Sequence, residues 1–301
     1  MLKILLWFVS NDVRFLDTAT KILERQHNGI EIVGVTANVS IKLQRDGKNL
    51  PFVLLSEVAA QDFDVLLVVG AKKIGMSEVV KLARRLNLPD EKLLGDWIVC
   101  VPGFTLDKYR RLQRSRLSII SRQCFGGCIS NLLGLPFLSP FVNLFMSYGD
   151  FMKILRAPQI YMAQEPHFEK WHEPTAEEPK TYPILSLGSV SLKMLHYKEI
   201  AEAITKWNER KTRINRYNLL VVTAFQDDEF LREFDALSFG KKVCFVPFKS
   251  DLDSAWYIKP GVDNGAKDFI DTVNRFGWGK FFYYDLFDML LYGKKTPLIE
   301  M

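Results

Sequence analysis

The sequence predicts an α/β protein of two domains: a Rossmann-like parallel-sheet domain over residues 1–105, then a second α/β domain over residues 116–301. Three observations predict it. Strand-like and helix-like segments alternate through the first hundred residues, the pattern of a parallel sheet with right-handed crossovers. The run "DVLLVVGA" (64–71) is apolar at nearly every position, as a parallel strand buried on both faces must be. The chain has 301 residues, too many for one small core and suited to two domains of ordinary size.

In the first domain, "KILLWFV" (3–9) reads as a strand rich in apolar residues. In "DVRFLDTATKILERQ" (12–26) the apolar positions Val13, Phe15, Leu16, Ala19, Ile22 and Leu23 recur at helical spacing. "IEIVGVTA" (30–37) is the next strand, and 64–71 should be central and parallel in the sheet. "MSEVVKLARRLN" (76–87) is a second helix, with Ser77 a candidate cap. "EKLLGDWIVCVPG" (91–103) closes the unit as an apolar, strand-like run holding Cys100. Pro102-Gly103 ends it, and a short basic helix in "DKYRRLQRSR" (107–116) forms the joint.

In the second domain, "LSIIS" (117–121) is a strand and "GCISNLLGL" (127–135) a short helix. "PFLSPFVNLF" (136–145) is a Pro-punctuated loop and strand, and "YGDFMKILRAPQIYM" (148–162) has helical periodicity. The polar, Pro-rich "EPHFEKWHEPTAEEPKTYP" (165–183) reads as an exposed excursion. "ILSLGSVSLKMLHY" (184–197) is a hairpin turning at Gly188-Ser189, and 199–215 is a helix. "LLVVTA" and "KVCFVPF" are strands flanking the helix "DEFLREFDAL". The aromatic-rich tail "WGKFFYYDLFDMLLYG" (278–293) is a helix packed on the body or on a partner chain, a homo-oligomer being one such arrangement.

Composition excludes several classes. No apolar run approaches the roughly 18 residues of a membrane span, and the start lacks a small-residue cleavage site, so a cytoplasmic protein is expected. Forty basic and 35 acidic residues leave a net charge of +5, which suits anionic ligands or an anionic membrane surface and does not demand nucleic acid. The turn after the first strand, Ser10-Asn11-Asp12, has no glycine for a pyrophosphate to approach, so no dinucleotide cofactor is expected. Cys124 and Cys128 lack a second ligand pair, so no zinc or other metal is expected.

The chemistry-bearing stretch is "SRQCFGGCISNLLG" (121–134), where a strand breaks into a Cys-Gly-Gly turn before a helix. Cys124 at that bend suits a nucleophile, since turn amides and the helix N-terminus would stabilise an oxyanion and lower the thiol pKa. Packing of the turn is the plainer reading. His196, ending a strand in "LHYK", is the candidate base. Gly126 and Gly127 suit a phosphate held by backbone amides. Arg210 and Arg213, three apart on one helix face with Asn215 just beyond, suit a bidentate anion; a Glu209–Arg213 ion pair is the alternative. Trp207 suits stacking on a sugar ring, or a place in the core.

Six segments in order, "LSIISRQCFGG", "PFLSPFVNLF", "DFMKIL", "YPILSLGSVSLKMLHY", "AITKWNERKTRIN" and "FDALSFGKKVCFV", resemble an uncharacterised bacterial family labelled exopolysaccharide biosynthesis protein, over about residues 116–249. The resemblance implies work on a cell-surface glycan: a transferase, acyl or glycosyl, acting on a glycan or nucleotide-sugar, or else a non-catalytic ligand-binding or scaffold protein of the same pathway. This chain departs from that pattern at Arg122 and Gln123, where the family typically carries two asparagines. It also carries Phe125 where the family's aromatic is usually Trp, and "SVSLKM" has no carboxylate where the family usually has acidic residues.

Overall fold

The computed structural model describes residues 1–37, 43–45, 47–176 and 178–300. It is a mixed α/β protein built on two parallel sheets. Two compact units divide the chain: Met1–Arg114 with Ser130–Pro136, and Ser115–Ile129 with Phe137–Met301.

The first unit holds β1 (Leu2–Phe8), α1 (Leu16–His27), β2 (Ile30–Ala37), the two-residue strands β3 (Gln44–Arg45) and β4 (Lys48–Asn49), and β5 (Val65–Val69). Then come α2 (Ala71–Ile74), α3 (Met76–Arg85), β6 (Leu93–Gly95), α4 (Asp96–Val99) and α5 (Leu106–Arg114). Its sheet runs β2-β1-β5-β6, all parallel. As its composition predicts, β5 is interior and buried at all five positions. Chain reversals are set by local chemistry: α1 ends at Asn28 in the left-handed region (φ 53°).

Three local expectations change. Ser77 caps nothing; α3 follows Gly75, whose φ of 95° suits glycine, and no side chain bonds its N-terminus. The 91–103 run is only a three-residue strand. Fully buried Asp96 then takes the amides of Gly70 (3.2 Å) and Trp97 (2.8 Å), and the chain turns into α4. Cys100 therefore stands at a helix C-terminus, half-buried, rather than in a strand. The glycine-free turn after β1 is filled from within: Ser10 Oγ donates to Gly70 O (3.2 Å) and accepts the Asp12 amide, while Asp12 pairs with Arg14 at 2.7 Å.

The second unit holds β7 (Ser118–Ser121), α6 (Phe125–Leu133, whose last turn falls to the first unit), α7 (Tyr148–Arg156), α8 (Pro158–Ala163), β8 (His167–Trp171), β9 (Pro183–Leu187) and β10 (Val190–Lys193). It continues with α9 (Ile200–Lys211), β11 (Leu219–Ala224), α10 (Leu231–Ala236), β12 (Lys241–Val246), β13 (Ala255–Tyr257), α11 (Phe269–Gly277) and α12 (Leu286–Tyr292). The parallel sheet runs β13-β12-β11-β7, and a smaller antiparallel one runs β10-β9-β8. Ser147 caps α7 and Asp285 caps α12, each side chain accepting the amide three residues on. A core of Phe141, Phe151, Trp207, Phe225, Phe234 and Cys244 joins α7, α9 and α10 to the parallel sheet.

The polar stretch 165–183 is not a loop throughout. It contributes β8, an edge strand exposed at every position, paired to β9 with a bulge between Phe168 and Lys170. The aromatic tail forms a helix only over α12, with α11 just before it. Among the described residues, no helix is long and apolar enough to cross a membrane, and no three His, Cys, Asp or Glu side chains stand together to hold a metal ion.

Candidate functional site

The site is built at the carboxyl end of β7. Ser121, the last strand residue, is fully buried; its hydroxyl donates to Gln123 O (2.7 Å) and accepts the Gly126 amide (3.0 Å). That brace closes the turn and begins α6. The two glycines let the helix settle onto its neighbours. A Cβ at Gly126 would stand 2.8 Å from Ile119 Cγ2, and one at Gly127 would stand 3.0 Å from Val142 Cγ1. The Gly126 amide is already engaged and both glycines are buried, so this pair is a packing device with no open phosphate cradle.

Cys124 caps the turn, half-buried, with its Sγ 3.5 Å from His196 Nε2 and 4.0 Å from Leu144 O. His196 arrives in the turn just after β10, held by short backbone bonds on either side, Leu195 N to Lys193 O and Tyr197 N to Met194 O. The structure thus brings together two residues that lie 72 positions apart in sequence. Their protonation differs from the sequence expectation. Burial pushes the Cys124 thiol up to about 11, with Cys128 adding to the rise, and burial together with Lys180 holds His196 below the ordinary imidazole value. Desolvation is the largest influence on the thiol, and the Gly126 amide at the start of α6 is already spent on Ser121. The pair rests as thiol and neutral imidazole. His196 also lines a cavity of about 220 Å³ with Glu178, Pro179, Lys180, Tyr182 and Leu195.

The remaining sequence candidates are dispersed. Arg210 donates to the Tyr197 hydroxyl at 2.8 Å and lies over the Phe137 ring, so it buttresses the residue after His196. Arg213 is exposed and paired with Glu209 at 3.5 Å, the helical i,i+4 pair. Trp207 is 1% exposed, its ring 5.5 Å from Phe141, so it belongs to the core and offers no sugar platform. Asn215 receives its order from the start of β7: its amide N–H donates to Ser118 Oγ (2.8 Å) and its side chain to Arg116 O (3.0 Å). That is the opposite end of the strand from Cys124.

Arg122, marked in the sequence only as a departure from the family pattern, is a residue of the site. It is 3% exposed, donates to Met146 O (3.2 Å) and Gln123 Oε1 (3.3 Å), and carries the faces of Tyr148 (4.0 Å) and Phe145 (4.8 Å) against its guanidinium. Its Nε is buried with no hydrogen-bond partner. The available signal was an arginine placed directly after an apolar strand, two residues before the candidate nucleophile.

A family model described as a domain of unknown function (DUF1919) matches residues 99–292, a span that contains Arg122, Cys124 and His196. An uncharacterized protein of Haemophilus influenzae (strain ATCC 51907 / DSM 11121 / KW20 / Rd) is 33% identical over 184 residues, which is 60% of this chain and 84% of that protein. With the matched span exceeding half its length, the chain belongs to the DUF1919 family.

Proposed function

We propose that this protein is an acyltransferase of cell-surface polysaccharide biosynthesis, with Cys124 as the acyl carrier and His196 as its base. One observation carries the reading: the 3.5 Å approach of Cys124 Sγ to His196 Nε2 at the carboxyl end of a parallel strand. His196 takes the thiol proton as sulfur attacks the carbonyl carbon of an activated acyl donor. The donor's leaving group departs with that proton, leaving an acyl thioester on Cys124. A sugar hydroxyl then loses its proton to His196 and attacks the thioester, and the proton returns to sulfur. A neutral imidazole is ready to accept, and a thiol near 11 does not ionise in advance, so proton transfer accompanies attack. The glycan assignment is supported by the six ordered segments that resemble exopolysaccharide biosynthesis proteins.

The second reading is a non-catalytic ligand-binding protein of the same pathway. It is favoured by the lack, among the described residues, of a carboxylate paired with His196 to orient it. Intact-mass spectrometry after exposure to acyl thioester donors separates the two. Acyl transfer gives a hydroxylamine-sensitive mass gain mapped to Cys124, absent in Cys124→Ala and slowed about 100-fold or more in His196→Ala. No adduct, with glycan binding retained in Cys124→Ala, establishes the binding reading instead.

A further inference from the structure

Five other arginines of this chain face a carboxylate. Arg14 pairs with Asp12, Arg84 with Asp90, Arg156 with Glu233, Arg213 with Glu209 and Arg275 with Asp263. Arg122 is more buried than any of these and, among the described residues, has no carboxylate within ion-pair distance. A guanidinium offers five N–H donors. Two directed hydrogen bonds are made, to Met146 O and Gln123 Oε1, and the Nε–H has no partner at all. Burying a cation without a counter-charge is among the most costly arrangements a fold contains, and aromatic faces compensate it only in part.

The surroundings sharpen the point. Cys244, one of the groups whose charge would bear on Arg122, is fully buried, and burial holds it as a neutral thiol. The groups whose charge acts on Arg122 are Tyr148 and Cys244, both neutral at physiological pH. Asp227 bears on Tyr148, not on Arg122. The two covering rings, Phe145 and Tyr148, are only partly buried, and Tyr148 begins α7, next to exposed Ser147. Solvent therefore stands one ring's thickness from an uncompensated positive charge. The loop that receives it is the same one that faces the thiol: Leu144 O lies toward Cys124 and Met146 O accepts from Arg122.

We propose that Arg122 anchors an oxyanion subsite beside Cys124, in which a phosphate or carboxylate group of the ligand displaces the Tyr148 ring and takes up the free edge of the guanidinium. A planar guanidinium with unused donors matches the paired oxygens of either group. Assigning that oxyanion to the substrate of Cys124 rests on the acyl-transfer reading and makes the substrate an acidic or phosphorylated sugar. The binding itself does not depend on that reading.

The test is calorimetric titration of the full chain at neutral pH and fixed ionic strength, with pyrophosphate in one arm and glucuronate in the other. One of the two binds with one-to-one stoichiometry, and the arm that does so identifies the group. Arg122→Met weakens that binding at least about tenfold, as loss of a charge-assisted pair demands. Arg213→Met, which removes an exposed and already paired arginine, leaves it unchanged. Should Arg122→Met not fold, Arg122→Lys is measured in its place; it keeps the charge, lacks the fork and still weakens binding. Cys124→Ala retains the binding, so failure of the acyl-transfer reading and failure of the subsite are told apart. The proposal is overturned if the wild-type chain binds neither anion stoichiometrically, or if the Arg122 variant binds as well as wild type.

Discussion

The protonation of Cys124 gives the sharpest expectation. Its thiol titrates near 11 against an ordinary value of 9.0, because burial disfavours the thiolate and Cys128 stands close by. Two pH units correspond to a factor of about 100 in thiolate content. At about pH 8 roughly one thiol in a thousand is ionised, against about one in ten for an unperturbed cysteine. Alkylation by iodoacetamide should therefore run about 100-fold slower than at a free thiol and climb about tenfold per pH unit until pH 10 or beyond. The assay is timed labelling of the folded protein over that range, with quantitation of the Cys124 peptide by mass spectrometry. Cys244, fully buried, serves as the internal marker of folding and stays unlabelled. His196→Ala should leave the profile nearly unmoved, since the imidazole is already neutral where the labelling is read. A rate that levels off below about pH 9 would refute the reasoning; it would mean that a charged pair forms at rest.

Three further outcomes follow from the packing. Gly126→Ala pushes a methyl against Ile119 and Ser121, so it should cost about 1–3 kcal/mol, read as a lowered Tm with the Cys124–His196 chemistry impaired alongside. Trp207→Ala should cost about 3–5 kcal/mol in a denaturant melt, yet leave ligand affinity unchanged in variants that still fold, because the indole lies in the core. Asp96 is buried, and its carboxyl is raised to about 6 in the folded state from 3.8. The folded state therefore holds the extra proton between those values, and the stability contributed by this group falls as pH rises from about 4 to 6. Asp96→Asn should flatten that loss, by an amount on the order of 2 kcal/mol, in urea melts compared at pH 4 and pH 7.

The fold was legible because burial writes itself into sequence. The continuous apolar run at 64–71 announced an interior parallel strand, and helical spacing at 12–26 announced α1. What misled were runs whose polarity and geometry disagree. The apolar "DWIV" reads as strand, but Asp96 turns inward to bond two amides and the chain coils. The polar "HFEKW" reads as loop, but its backbone pairs with β9 while every side chain faces water. At the site, spacing suggested a thiol and a histidine and the structure sets them side by side. Spacing could not show that the Gly126 amide was spent on Ser121, nor that Trp207 was enclosed. Arg122 stood out in the sequence only as a departure from the family pattern, because an arginine's significance lies in what fails to surround it, which no linear pattern records.

The position of β7 has a dynamic consequence. It is four residues long, lies at the edge of the parallel sheet, and is hydrogen-bonded there to β11 alone. That ladder joins Ile119 to Leu220, so its formation closes a loop of about a hundred residues, an entropic toll on the order of 4 kcal/mol, whereas the β9–β10 hairpin closes across a tight turn. Such a strand forms late and opens early. Its amides should exchange with deuterium well before those of β11, and each opening carries the Arg122–Cys124 bend with it. The reactive turn thus hangs from an edge strand held by a single neighbour, where motion disturbs little of the sheet.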